Sequence, residues 1–109
     1  MPVQQLQPRA LREWLDDDSR RLPVLLDVRE PWEHDICRIE GSLNIPMNSI
    51  PDHCSSLVPE VEFVVICHHG GRSMQVALFL ERNGFAKLHN LAGGVDAWAR
   101  QIDTAMAVY

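Results

Sequence analysis

The chain reads Val64-Val65-Ile66-Cys67-His68-His69-Gly70-Gly71-Arg72-Ser73 where an apolar, strand-like run gives way to a helix-like run. Two glycines let the backbone between Cys67 and Arg72 turn tightly, so that several N–H groups can aim at one point. The positive end of the following helix adds to their effect, and together they stabilise a thiolate or an anionic sulfur bound to it. This stretch therefore predicts a nucleophilic cysteine in an anion-binding loop.

Composition favours a single domain spanning residues 1–109. The chain is 46% hydrophobic, which suffices for one core without disulfides or metals. Its net charge is −5 and its basic residues are scattered, which argues against nucleic acid as a partner. No stretch approaches the roughly 18 apolar residues of a membrane span, and the first eight residues do not resemble a signal peptide. We expect a cytoplasmic protein that binds neither nucleic acid nor membrane.

The cysteine pattern argues against a disulfide framework. There are three cysteines, Cys37, Cys54 and Cys67, without a CxxC pair, and a reducing compartment fits this pattern. Cys37 and Cys54 lie outside any comparable glycine-rich segment, so we expect packing or incidental surface roles for them. A zinc site would consume the nucleophile and lacks tandem ligand spacing. Its candidate ligands are His34, His53, Cys54, Cys67 and His69. We expect no metal and no cofactor.

Strand-like and helix-like runs alternate along the chain, which predicts a parallel sheet covered by helices on both faces. Apolar and extended runs predict strands at Pro23–Val28, Leu43–Pro46, Glu62–Ile66 and Lys87–Leu91. Periodicity and proline or glycine boundaries predict helices at Pro8–Leu15, Pro31–Ile36, Ile50–Leu57, Met74–Leu80 and Val95–Ile102. Cys67 then follows the carboxyl end of a strand, where open α/β sheets place their sites.

Two further features complete the pattern. The tryptophans Trp14, Trp32 and Trp98 lie among apolar helix positions and are expected to fill the core or gaps between subdomains. The segment Asp103–Tyr109 has no clear period, and both packing along the domain and a role as a short contact segment stay open.

Four blocks of the sequence occur in the order of a known family. They are Leu26–Glu30 with Trp32-Glu33, Ile39–Pro46, Cys67–Arg72 and Asn90–Trp98. Over nearly its whole length the chain resembles a single-domain rhodanese, a sulfurtransferase of the thiosulfate:cyanide type. The resemblance implies a three-layer α/β/α fold with a five-stranded parallel sheet, and a persulfide formed on Cys67. The chain departs from the family at Cys37-Arg38, where Gly-His is usual.

The chemistry of such a site requires a thiolate. An ordinary cysteine, with a pKa of about 8.5, is mostly protonated at neutral pH, so the loop has to favour the ionised form that attacks a sulfane sulfur. The same N–H donors can then hold the outer sulfur of a persulfide until a thiophilic acceptor attacks it. We expect a double displacement between a small sulfur donor such as thiosulfate and an acceptor such as cyanide or a thiol.

The predicted site includes the residues of the loop itself. These are His68, His69, Gly70, Gly71, Arg72 and Ser73. Ser73 can cap the following helix or bond to the sulfur, and both roles stay open. The histidines can contact an anionic substrate or be ordinary exposed loop residues, which also stays open.

Arg72 has two candidate roles. It can bind the donor, or it can brace the loop through a carboxylate such as Asp27 or Glu30, and the tight bend favours bracing. Asp27, Arg29 and Glu30 are therefore expected to support the loop through structural ion pairs.

Two other functions are considered. Phosphatases of the resembling fold have five residues between the cysteine and the arginine, whereas this loop has four between Cys67 and Arg72, a tighter ring that suits one sulfur atom. We therefore do not expect phosphatase activity. The alternative that stays open is a persulfide carrier or binding module that delivers sulfur to a partner protein, which also uses Cys67.

Overall fold

Strand β4 (Phe63–Ile66) lies at the centre of a five-stranded, all-parallel sheet in the computed structural model, which describes residues 3–109. The other strands are β1 (Gln4–Leu6), β2 (Val24–Asp27), β3 (Leu43–Asn44) and β5 (Leu88–Leu91). Their order across the sheet is β1-β5-β4-β2-β3. The predicted α/β fold with a five-stranded parallel sheet is confirmed.

Five helices connect the strands. They are α1 (Pro8–Asp16), α2 (Pro31–Ile36), α3 (Ile50–His53), α4 (Gly71–Arg82) and α5 (Gly94–Gln101). Short 3₁₀ turns at Met47–Ser49 and Cys54–Ser56 flank α3. Among residues 3–109, no helix is both long enough and apolar enough to cross a lipid bilayer.

Apolar side chains fill the space on both faces of the sheet, which gives the predicted three layers. All four β4 side chains are buried, and because successive side chains of a strand point to opposite faces, they divide between two clusters. Phe63 and Val65 pack with residues of α3 and α4. Val64 and Ile66 pack with residues of α1 and α5. The central strand therefore holds its following residue, Cys67, at a fixed point of the sheet edge.

The structure differs from the sequence pattern at several places. The helix predicted at Ile50–Leu57 ends at His53, and a 3₁₀ turn at Cys54–Ser56 follows it. Strand β1 was not predicted, because its first two residues are exposed glutamines, and it is defined by parallel pairing with β5. Helix α4 begins at Gly71 rather than Met74, since Gly70 takes a φ of +106° at the N-cap position. The prediction that Trp32 fills the core is wrong, because its side chain is 60% exposed on the short helix α2.

The segment after α5 packs along the domain. Met106 and Tyr109 lie against the apolar cluster on the α1 and α5 side of the sheet. Of the two alternatives for residues 103–109, the structure therefore supports packing.

Candidate active site

Cys67 follows β4 directly and begins the loop that leads into α4. Its side chain is 1% exposed, its Sγ accepts a hydrogen bond from the backbone N–H of Gly70 at 3.0 Å, and the Ser73 hydroxyl oxygen lies 3.3 Å from the same sulfur. The sequence predicted several backbone N–H groups around the sulfur, whereas one, that of Gly70, lies within hydrogen-bond distance in the described structure. The N–H groups that follow Gly70 along the chain belong to the first turn of α4, where backbone N–H groups have no acceptor within the helix.

Ser73 connects the sulfur to the neighbouring strand β5. Its hydroxyl is also hydrogen-bonded to Oδ1 of Asn90. The Asn90 amide orientation is set by its Nδ2, which donates to Gln5 Oε1 at 3.1 Å and to the Gly70 carbonyl at 3.2 Å. Since a hydroxyl has one proton, Ser73 can donate either to the Asn90 oxygen or to an anionic sulfur. Two roles were predicted for Ser73, capping of the helix and contact with the sulfur. The structure contains the contact with the sulfur.

The N-terminus of α5 holds the start of the loop. The N–H of Val95 donates to the Cys67 carbonyl at 2.9 Å, and the N–H of Asp96 donates to the His68 carbonyl at 3.1 Å. Gly94, with a φ of +61°, comes so close that a Cβ atom there would collide with both carbonyl oxygens. The glycine pair at 93–94 thus provides close backbone packing as well as a turn.

Arg72 braces the loop through Glu33, a carboxylate that was not expected from the sequence to be its partner. Its Nη1 and Nη2 donate to Oε1 and Oε2 of Glu33, each at 2.8 Å. Of the two expected partners, Asp27 is paired with Arg29 instead, and the exposed Glu30 side chain forms no ion pair with Arg72 in the described structure. The two bonds from Arg72 lower the pKa of Glu33 to about 2, so this carboxyl is ionised at neutral pH.

Asp27 and Arg29 form a fully buried ion pair next to Glu33, the residue that binds Arg72. Arg29 Nε and Nη2 reach Asp27 at 2.9 and 2.6 Å. Its remaining N–H groups donate to the carbonyls of Glu33 and Cys37 and to the Tyr109 hydroxyl. Burial lowers the pKa of Arg29, but the bonds to Asp27 and Tyr109 outweigh it and raise the pKa above its ordinary value. A buried pair with its donors satisfied gives the loop a rigid base.

Glu30 supports the site through its backbone. Its N–H donates to Glu33 Oε1 at 3.0 Å, and its carbonyl accepts from the Glu33 N–H at 3.0 Å. It therefore helps to orient the carboxylate that binds Arg72, rather than forming the ion pair expected for it.

The two loop histidines lie in different environments. His68 is half-buried, with its ring centroid 3.9 Å from those of His69 and Tyr109, while His69 is exposed. Burial, with the neighbouring His69 adding to it, lowers the pKa of His68 and favours its neutral form. His68, His69 and Asp96 each offer a potential metal-ligand atom within 4.8 Å of the others, although the Asp96 carboxylate already accepts a bond from Arg100. Of the five candidate zinc ligands considered from the sequence, only His69 belongs to this set.

All three cysteines are free thiols. Cys37 is 8% exposed, and its carbonyl accepts a 2.7 Å hydrogen bond from Arg29, so the departure from the family at this position is accommodated in the core. Cys54 is partly buried against the α3 and α4 side. Both have the packing surroundings expected for them.

Comparison with known proteins identifies the family to which this arrangement belongs. The sequence profile of the rhodanese-like domain matches residues 7–101. The chain belongs to the rhodanese-like domain family. A crystal structure of a rhodanese-like domain protein from Staphylococcus aureus has a TM-score of 0.82 and 27% identity, covering 98% of this chain and 99% of that one.

Sequence relatives of this rhodanese-like domain include named sulfurtransferases. The thiosulfate sulfurtransferase GlpE of Pseudomonas fluorescens is 32% identical, covering 84% of this chain and 78% of that protein. The rhodanese-like/PpiC domain-containing protein 12, chloroplastic, of Arabidopsis thaliana is 36% identical over 99% of the chain. The chain spans 38% of the length of that plant protein.

Three residues of this rhodanese-like site were not assigned roles from the sequence: Glu33, Asn90 and Tyr109. The first two lie within the blocks that resemble the family, so the blocks gave a signal for their position but none for their contacts. Tyr109 lies outside those blocks, in a segment without a period, and gave no signal of its own.

Proposed function

We propose that residues 1–109 form one rhodanese-like domain that transfers a sulfane sulfur from a donor to a thiophilic acceptor through a persulfide on Cys67. The observation that carries this proposal is the placement of the Cys67 sulfur at the N-terminal end of α4, where the Gly70 N–H donates a hydrogen bond to it and the Ser73 hydroxyl lies within reach of an anionic sulfur. Such donors stabilise an anionic sulfur. The similarity to a thiosulfate sulfurtransferase supports the same chemistry.

The first half-reaction forms the persulfide. The Cys67 thiolate attacks the outer sulfur of thiosulfate, the S–S bond of thiosulfate breaks, and sulfite leaves with the electron pair. The second half-reaction returns the enzyme to its starting state. Cyanide attacks the outer sulfur of the persulfide, the S–S bond to Cys67 breaks, and thiocyanate leaves while the thiolate is regenerated. Charge and atoms balance in each step without a metal or a redox cofactor.

The loop residues divide into two groups in this mechanism. Gly70 and Ser73 donate to sulfur, and the first-turn N–H groups of α4, including that of Gly71, are available for the outer sulfur of a persulfide. Arg72 is assigned to bracing, because both of its terminal nitrogens are engaged by Glu33.

His69 is the loop histidine that an approaching anion meets first. Its side chain is exposed, whereas His68 is half-buried and in contact with Tyr109. We assign His69 a role in attracting an anionic donor, and we assign His68 to the loop's support.

A second candidate is a persulfide carrier that passes sulfur to a partner protein. It fits the same loop, because the donor beside the recessed Cys67 sulfur would also stabilise a persulfide that is kept for a partner's thiol. Both candidates predict the same covalent intermediate and differ in turnover. The cytoplasmic location stays a prediction that rests on the cysteine pattern.

The test combines a turnover assay with intact-mass spectrometry. We expect thiosulfate alone to add one sulfur, about 32 Da, to the wild type and cyanide to remove it with release of thiocyanate. Cys67→Ser should do neither, while Cys54→Ser should behave as the wild type. A stable adduct with poor turnover on cyanide would assign the carrier role. A wild type that gains no mass from thiosulfate or from a persulfide donor would exclude both.

A further inference from the structure

Tyr109 reaches back from the segment after α5 to the edge of the loop Cys67–Arg72, where its hydroxyl joins two ion pairs. The hydroxyl accepts a hydrogen bond from Arg29 Nη1 at 2.9 Å and donates one to Glu33 Oε2 at 2.8 Å. Arg29 belongs to the buried pair with Asp27, and Glu33 holds the loop arginine. One oxygen atom therefore connects the base of the site to the brace of its loop.

The bridge depends on a neutral phenol, because only the protonated hydroxyl can donate to the Glu33 carboxylate. Burial raises the pKa of Tyr109 to about 12, so the proton stays in place at neutral pH. Hydrogen bonds to charged groups are stronger than those between neutral groups, and Tyr109 makes two of them.

The ring of Tyr109 makes a second contact with the loop. It stacks on the ring of His68 with a centroid distance of 3.9 Å and an angle of 3° between the planes. Trp32 meets the tyrosine ring edge-on at 6.2 Å. Because His68 directly follows Cys67, the stacked tyrosine limits the movement of the residue next to the sulfur.

We propose that Tyr109 is a positioning residue for the loop Cys67–Arg72. Its hydroxyl holds Glu33 and thereby the arginine brace, and its ring holds His68, so that the hydrogen-bond donors stay directed at the cysteine sulfur. The consequence for turnover rests on the proposed sulfur transfer. The consequence for the reactivity of the thiol does not, and it can be measured separately.

The experiment compares Tyr109→Phe and Tyr109→Ala with Val108→Ala, a change at a neighbouring exposed position. Alkylation of Cys67 by iodoacetamide is followed across pH by peptide mass spectrometry, which separates it from the other two cysteines. Greater access to the thiol raises the alkylation rate by the same factor at every pH, whereas weaker stabilisation of the thiolate moves the profile to higher pH. Turnover of thiosulfate and cyanide gives kcat and KM in parallel.

We expect Tyr109→Ala to move the alkylation profile to higher pH and to lower kcat/KM about tenfold or more, mainly through kcat. Tyr109→Phe keeps the ring and should rescue part of this loss, with kcat/KM reduced about threefold. Val108→Ala should match the wild type in all readouts. The proposal is wrong if both tyrosine variants have the same alkylation profile, kcat and KM as Val108→Ala. A lower melting temperature alone would not rescue it.

Two outcomes separate this proposal from the proposed function. A wild type without sulfur transfer, combined with a shifted alkylation profile in Tyr109→Ala, contradicts the function and supports the positioning role. An active wild type with unchanged tyrosine variants does the reverse. Should Tyr109→Ala fail to fold, Tyr109→Phe decides alone, because it loses only the hydroxyl.

Discussion

Glu33 and Arg72 are 39 positions apart in the chain, yet they form a two-pronged ion pair in which both N···O distances are 2.8 Å. The glutamate side chain is 5% exposed and the arginine side chain 36% exposed. Planar pairs of this kind fix direction as well as distance. The pair therefore ties α2 to the first turn of α4 and fixes the far end of the loop that begins at Cys67.

Loss of the arginine should destabilise the fold. Arg72→Ala leaves the nearly buried Glu33 carboxylate without its main partner, and we expect the free energy of unfolding to fall by about 1–3 kcal/mol. Urea denaturation measures the change. The matched control is Arg12→Ala, which removes an exposed ion pair with Asp16 and should cost less than about 1 kcal/mol. Equal losses in the two variants would contradict the bracing role.

The same ion pair predicts acid sensitivity. Because the pKa of Glu33 is lowered to about 2 from an ordinary 4.5, its contribution is complete above about pH 4.5 and is lost as the pH falls toward 2. We expect this group to contribute roughly 1–3 kcal/mol to the difference in stability between pH 6 and pH 2. Glu33→Gln should therefore flatten the acid limb of a plot of unfolding free energy against pH. A variant with the same slope as the wild type would contradict the assignment.

Ser73 provides a test of how the sulfur is held. Ser73→Ala removes the hydroxyl that can donate to an anionic Cys67 sulfur, and we expect kcat/KM for sulfur transfer to fall about three- to tenfold. Ser55→Ala, at an exposed position, is the control and should leave the rate unchanged. Stopped assays of thiocyanate measure both variants. An unaffected Ser73→Ala enzyme would mean that the Gly70 N–H suffices.

The fold and the position of the candidate nucleophile could be predicted because they depend on local patterns. Continuous apolar runs define β2 and β4, and the glycine-rich loop directly after β4 marks Cys67 as the candidate nucleophile. Strand β1 could not be predicted, because its exposed Gln4 and Gln5 take their extended form from pairing with β5.

The supports of the loop could not be predicted for a different reason. Which carboxylate meets Arg72 is decided by how α2 packs beside α4, and the competing Asp27 is removed by its own pairing with Arg29. The bond between Tyr109 and Glu33 spans 76 positions and has no sequence period to reveal it. Contacts of this kind are fixed by tertiary structure alone.

Gly94 tests whether close backbone packing of α5 holds the start of the loop. Gly94→Ala combines an unfavourable positive φ with a collision against the carbonyl oxygens of Cys67 and His68. Gly84→Ala is the matched control, since its φ of +93° carries similar strain while nothing lies within 4 Å of the added carbon. We expect the control to cost about 1 kcal/mol and Gly94→Ala about 1–3 kcal/mol more, with loss of most sulfur transfer. Thermal unfolding and the thiocyanate assay measure the two effects, and equal behaviour of the two variants would contradict a role for α5 in holding the nucleophile.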